Sequence, residues 1–263
     1  MIESYGLTDV GKKRKRNEDC VLINKNLSLF IVADGMGGHS LGNYASNTAA
    51  STINAFIEKE IPSSPLKELK KDQFIFSLLK SAIQKANTEI FSRSQGMSEK
   101  ITIGTTVSMT LIRDSKSYIA HVGDSSVYRL RSGTMEKLTK DDSVVQDLIE
   151  EGKISEEEAK NHKLSNIITK AVGSSASIEP SIGMFDMNDR DIYLLSSDGL
   201  TKVLDIDAIR GILAGQGKLK DRCNALLEGV LQKGAPDNVS IILFEYGKKD
   251  VFKRFLSKLP GRA

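Results

Sequence analysis

The sequence predicts an α+β layered sandwich, in which antiparallel sheets are covered by helices. Three observations carry this: apolar extended segments come in runs, helical segments come in pairs, and strict strand-helix-strand alternation, the mark of a doubly wound parallel sheet, is missing. With 263 residues, 40% of them hydrophobic and 27% charged, the chain has the apolar material for a core. That length admits one domain or two small ones. The continuous pattern favours one domain over 1–246, followed by a basic tail over 247–263.

The extended segments are 27–33 (LSLFIVA), 101–112 (ITIGTTVSMTLI), 117–122 (SYIAHV), 192–195 (IYLL) and 239–244 (VSIILF), all apolar enough to be buried strands. A helix is predicted from Leu41, Tyr44, Ala45, Thr48, Ala49, Thr52, Ile53 and Phe56, whose i, i+3, i+4, i+7 spacing lays one apolar stripe along several turns. A second spans about 72–91, with Ile75, Leu78, Leu79, Ala82, Ala86 and Ile90 on its apolar face. Further helices are expected near 143–151, 205–214 and 219–232, and Ser155 with Glu158 has the spacing of a capping box that starts a short polar helix. The tail, KKDVFKRFLSKLPGRA, places Val251, Phe252, Phe255 and Leu256 at helical spacing but reads as an appendage.

Charge names no partner: 37 Lys and Arg against 34 Asp and Glu leave a formal +3. The two cysteines, Cys20 and Cys223, form no CxxC, so a disulfide scaffold or zinc ribbon is not expected. Neither is followed six residues later by the Arg that a thiolate phosphatase uses to hold phosphate, since those positions are Asn26 and Gly229. Three histidines, His39, His121 and His162, make no HExxH. The loop ADGMGGHSLG is not a nucleotide loop, because GKS or GKT never occurs and Ser40 stands where GxGxxG needs its last glycine. No GxSxG elbow is present. With no apolar N-terminal region and no run long enough to span a bilayer, a soluble cytoplasmic protein is expected.

What remains is oxygen chemistry. Asp34 follows LSLFIVA, Asp124 follows SYIAHVG, Asp198 follows IYLLSS, and Asp237 precedes NVSIILF. For any single Asp before Gly, a cap or turn is the commoner role. Four carboxylates at strand ends are different: they can converge at one mouth of a folded sheet, where they would repel unless hard cations such as Mg²⁺ or Mn²⁺ stood among them. Two such ions acidify a shared water for in-line attack on phosphorus, so hydrolysis of a phosphate ester is the expected chemistry. Gly35, lacking a Cβ, lets its carbonyl approach an ion.

Taken in order, DVGKKRKRNED (9–19), VADGMGGHSLGNYAS (32–46), IGTTVSMTLI (103–112), AHVGDSSVYRLR (120–131), LTKDDSVVQDLIEEGKIS (138–155), IITKAVG (167–173), LLSSDGL (194–200) and GAPDNVSIILFEY (234–246) resemble the metal-dependent protein serine/threonine phosphatases of the protein phosphatase 2C type, in their compact bacterial form. The resemblance implies a four-layer αββα sandwich and a two-metal centre, Mn²⁺ or Mg²⁺, with a weaker third ion. It implies that Asp34 bridges both metals, that Asp198 and Asp237 complete the first, and that the Gly35 carbonyl ligates the second. Glu18 and Asp19 would act there directly or through water, and Asp124 would hold the third ion, with Asp198 shared. Arg14 matches the arginine that grips the substrate phosphate.

Phosphorylated proteins, substrates of a Ser/Thr kinase, are the expected partners, and the protein is expected to be a monomer. The basic run 12–16 also fits a nucleic-acid patch, but no aromatic interleaving or second basic stripe accompanies it. His39 reads as a helix-start residue rather than an acid, and Met36 stands where animal members have the acid histidine. Departures from the family pattern are Ser126 for Arg after GDS, Asp142 for His in DHS, and Lys202 for an acidic residue after SDGL; they concern substrate contacts and a flap over 141–173. Two alternatives are an inactive binding module, expected to have lost metal aspartates that are all present here, and a partner-switching regulator of one phosphoserine protein. The latter is expected to carry a sensor domain, for which 263 residues leave no room.

Overall fold

The computed structural model describes residues 2–37, 41–96, 103–160 and 162–247. His39, residues 101–102 and the tail from 248 lie outside them. The elements in chain order are β1 (Ile2–Asp9), β2 (Asp19–Asn24), β3 (Leu29–Met36), α1 (Leu41–Ser63), α2 (Leu66–Leu69), α3 (Asp72–Gln95), β4 (Gly104–Thr105), β5 (Val107–Arg113), β6 (Lys116–Val122), β7 (Ser126–Arg131), β8 (Thr134–Lys137), α4 (Val144–Glu150), α5 (Glu156–Lys160), β9 (Ser181–Asp186), β10 (Asp191–Ser196), α6 (Asp198–Thr201), α7 (Ile206–Ala214), α8 (Leu219–Gln232) and β11 (Val239–Tyr246). They form two antiparallel sheets, β1-β11-β10-β7-β8 and β2-β3-β5-β6-β9, with β4 paired to β3.

Side-chain alternation along each strand builds three apolar layers from two sheets. On β3, Leu29, Ile31 and Ala33 face α1 and α3, packing with Ile53, Ile57, Leu79 and Ile83. Phe30 and Val32, on the opposite face, meet Tyr193, Leu195, Ile242 and Phe244 of the other sheet. The aromatic rings stack there, with centroids 4.3 Å apart for Phe30 and Phe244 and 4.7 Å for Tyr193 and Phe244. Leu194, Ile241 and Leu243 point the other way, against Ile209, Leu226 and Val230 of α7 and α8. Helices on the two outer faces and sheets within make the expected αββα sandwich.

The same parity aims the acids. Asp34 continues the Phe30, Val32 series and Asp19 continues Val21 and Ile23, so both belong to the face between the sheets, at the end where the apolar filling stops. The predicted end of that strand is corrected here: Asp34 does not terminate β3, which runs on to Met36 by pairing Gly35 and Met36 with β4. The predicted 101–112 strand is likewise two strands, because Thr106 leaves the ladder to bond Asp34. Both arms of the capping box form, Ser155 N–H donating to Glu158 Oε2 (2.8 Å) and Glu158 N–H to Ser155 Oγ (3.3 Å). Among the described residues no helix is long and apolar enough to cross a membrane.

Candidate active site

At that end of the sheets lies a cleft of about 460 Å³ lined by Arg14, Glu18, Asp34, Gly35, Thr106, Asp124, Asn166, Asp198, Lys202, Asp237 and Asn238, among others. The expected site residues therefore meet in one place, from segments far apart in the chain. Asp19 is the exception. It does not line the cleft but lies buried beside it, its Oδ2 accepting a 2.7 Å bond from Ser197 Oγ.

Local hydrogen bonds explain how each is held. Both threonines that interrupt the 101–112 segment serve Asp34: its N–H donates to Thr106 Oγ1 (2.9 Å), and its carbonyl accepts from Thr105 Oγ1 (2.9 Å) and Thr106 N–H (2.8 Å). Gly35 sits where the first turn of α1 crosses β3. A Cβ on it would lie 2.0 Å from the Gly42 carbonyl oxygen and 2.7 Å from that of Glu18, so only glycine lets helix and strand approach this closely. The turn bearing Asp124 is fixed from below by His121, whose Nε2 donates to the Gly123 carbonyl (2.8 Å). Burial lowers the His121 pKa, which keeps the ring a structural group.

Asn238 holds the basic run. Its amide donates to the carbonyls of Val10 and Arg16, 2.9 Å each, and its Oδ1 accepts from Glu18 N–H (2.8 Å). That clamp drapes residues 10–18 over the 235–238 turn and sets Arg14 at the cleft edge, where its guanidinium donates to Asp237 Oδ2 (2.8 Å) with the side chain still 55% exposed. On the opposite rim the flap segment is rooted by Asp142, whose Oδ2 accepts from Gly123 N–H (3.0 Å) while its own N–H donates to the Gly123 carbonyl (2.7 Å). Asp142 thus has a buried structural place. The one-turn helix α6 starts at Asp198, and Lys202 reaches from its end to Asp198, to Asn166 Oδ1 of the flap (2.7 Å) and toward Asp124 Oδ2 (3.9 Å).

The carboxylates perturb one another as a group. Burial first, then the charges of Asp19, Asp198, Asp124 and Asp237, push Asp34 well above the ordinary range. Asp19 is raised to about 6 by burial and by Asp198 and Asp237, against the opposing pull of the Ser197 and Ser240 hydroxyls. Asp124 is raised to about 7 by burial and Asp198, with Lys202 opposing. Glu18 is raised by burial, against the pull of Arg14 and Arg16. One oxygen of Asp19 and one of Asp198, both Oδ1, are buried without a hydrogen-bond partner. Among the described residues no three His, Cys, Asp or Glu side chains close into a preformed metal cage, since Asp237 and Asp198 lean on Arg14 and Lys202 instead. The donor set nonetheless fits hard divalent cations: all oxygen, mutually repelling, with orphaned lone pairs that a cation would satisfy. Burial raises both thiols, Cys223 to about 12, which disfavours their thiolate forms.

The sign of this repulsion is testable. Unfolded, these carboxyls titrate near the ordinary ~4. Folded and metal-free, they hold protons up to about 6 for Asp19 and about 7 for Asp124. Between those limits the folded state binds more protons than the unfolded one, so stability increases as the pH falls. In excess chelator, thermal unfolding from about pH 8 to about pH 5 is expected to show Tm rising by several degrees. A Tm falling steadily through that window would contradict the acidic cluster.

Ser197, Thr106, Asn166 and Asn238 are site residues that no sequence pattern singles out, and Lys202 stands out only as a departure from the family pattern. Asn238 comes nearest to a signal, standing beside an acid directly before an apolar strand.

The family model for "Protein phosphatase 2C" matches residues 4–239. Protein phosphatase PhpP of Streptococcus pneumoniae is 32% identical over 248 residues, covering 93% of this chain and 97% of that protein. The crystal structure of serine/threonine phosphatase Stp1 from Staphylococcus aureus superposes with a TM-score of 0.86 at 31% identity, covering 94% of this chain and 96% of the other. The catalytic domain of serine threonine protein phosphatase PstP, solved in complex with two manganese ions, gives 0.80 at 29% identity, covering 94% and 99%.

Proposed function

Because the chain belongs to the protein phosphatase 2C family, and so is a metal-dependent protein serine/threonine phosphatase, we propose that the cleft between the sheet ends is its hydrolytic centre and that Asp34, Asp198, Asp237, the Gly35 carbonyl, Asp19 and Glu18 hold its ions. The observation that carries this assignment is the pair of buried, partnerless oxygens on Asp19 and Asp198 within a set of carboxylates that hold one another's pKa values up. Mn²⁺, the ion of the PstP structure, and Mg²⁺ both suit this donor set. Bound there, such ions supply Lewis acidity and a water acidified to near neutrality.

The chain's own residues do the rest. Thr105 and Thr106 fix the Asp34 backbone, and Ser197 fixes Asp19, so these two acids are held in place by the chain itself. Arg14 is the phosphate-binding group. It is drawn in the structure to Asp237, and a guanidinium keeps further N–H donors for a phosphoryl oxygen when one carboxylate oxygen is already bonded. Lys12, Lys13, Lys15 and Arg16 on the same loop raise the local concentration of phosphorylated chains. Phosphoserine and phosphothreonine proteins made by a Ser/Thr kinase are the substrates, acted on by a monomer in the cytoplasm.

The basic loop decides between substrate binding and a purely structural ion pair. Arg14→Ala is expected to raise KM for a phosphopeptide about tenfold or more while kcat changes less, since the contact is present in ground and transition states alike. Its exposed bridge to Asp237 contributes at most about 1 kcal/mol to stability, so Tm barely moves. Unchanged KM in steady-state kinetics would remove Arg14 from the phosphate site.

A further inference from the structure

We propose that in this chain the ammonium of Lys202 occupies the place between Asp124 and Asp198 where the resemblance puts a weaker third metal ion, so that the centre takes two ions and no more. This rests on the metal-centre assignment above.

Asp198 opens the single turn of α6 and Lys202 follows it at i+4, the spacing that returns a lysine onto the carboxylate one turn back. The Asp198 carboxylate is thereby divided. Its Oδ2 is bonded to Lys202, while its Oδ1 is buried and partnerless. An Asp198 that gave one oxygen to each of two ions would use both, and Oδ2 is already bonded to a cation that belongs to the chain.

The second carboxylate of that place, Asp124, has its Oδ2 3.9 Å from the same Nζ. The ammonium also donates to Asn166 Oδ1 at 2.7 Å, which leaves it three polar neighbours on three separate segments. A divalent ion held by Asp124 and Asp198 would stand beside this fixed positive charge, competing with it for the same oxygens. The sequence change that permits the arrangement is the lysine itself, in a position where an acid would add a ligand instead.

The test is metal stoichiometry on the full chain, by equilibrium dialysis against graded free Mn²⁺ up to millimolar levels. Wild type is expected to saturate at about two ions per chain, and both Lys202→Asp and Lys202→Asn at about three, the added one weaker, because each substitution removes the charge and supplies an oxygen. The Asn variant adds no negative charge to the cluster, so it remains informative if the Asp variant folds poorly. Three ions on the wild type, or two on wild type and variants alike, would overturn the proposal while leaving the two-metal centre intact. No ion on any of them would overturn both.

Discussion

Asp34→Asn is expected to lower phosphopeptide hydrolysis by about 10³-fold or more, roughly 4 kcal/mol of transition-state stabilisation. Asp34 is the acid nearest the middle of the cluster, its charge acting on Arg14 and Lys202 and its own pKa raised by four other aspartates. An amide at this position keeps the size but would supply a neutral, weaker ligand to the ions proposed there. Stability moves the other way. In chelator, removing one of several repelling charges is expected to leave Tm unchanged or higher, because the Asp34 carboxylate is disfavoured in the folded state near neutral pH. Phosphate release and thermal unfolding measured on the same preparation check both halves; activity within tenfold of wild type would remove Asp34 from the centre.

Gly35→Ala is expected to be strongly damaging to both fold and site. The new Cβ would lie 2.0 and 2.4 Å from the Gly42 carbonyl group and 2.7 Å from the Glu18 carbonyl oxygen, all backbone atoms, so no side-chain rotation relieves the clash. Either α1 moves off β3 or the 17–19 segment moves off both, and each shift displaces Asp34 or Glu18. A loss of about 3 kcal/mol follows, which for a chain of this length lowers Tm by roughly 6–12 °C, with activity falling further. Gly211→Ala is the control. It lies inside α7 with nothing within 4 Å of its Cβ position, and it is expected to stabilise by about 0.5–1 kcal/mol. Equal unfolding temperatures for the two variants would contradict the close approach of α1 to the site.

How much of this was legible in the sequence follows from where each strand lies. β3, β5, β6, β10 and β11 are interior strands covered on both faces, and their continuous apolar runs announced them. β1, β2, β8 and β9 are sheet edges with half-buried or exposed residues, and no comparable run marks them. β7, though interior, carries no such run for another reason: Arg129 and Arg131 interrupt its pattern, one pairing with Glu136 and the other with Asp191. The aspartates were legible because they stand just beyond apolar strands. Their supports were not, because Ser197 reaches Asp19 across 178 residues and Asn238 reaches Arg16 across 222, and a hydrogen bond of that span leaves no local spacing to read. Lys202 was visible as a substitution, but its contact with Asn166 depends on where the flap folds back.

This oxygen-lined cleft is expected to hydrolyse phosphoproteins only with divalent ions in it. The direct measurement is phosphate release from a phosphoserine or phosphothreonine peptide by the full chain, first in excess EDTA and then after Mn²⁺ is added beyond the chelator. Negligible release in EDTA and recovery of full turnover with Mn²⁺ are expected, because water without a metal has a pKa near 15.7 and is almost wholly un-ionised at neutral pH. Full turnover in EDTA, unchanged by Mn²⁺, would contradict it.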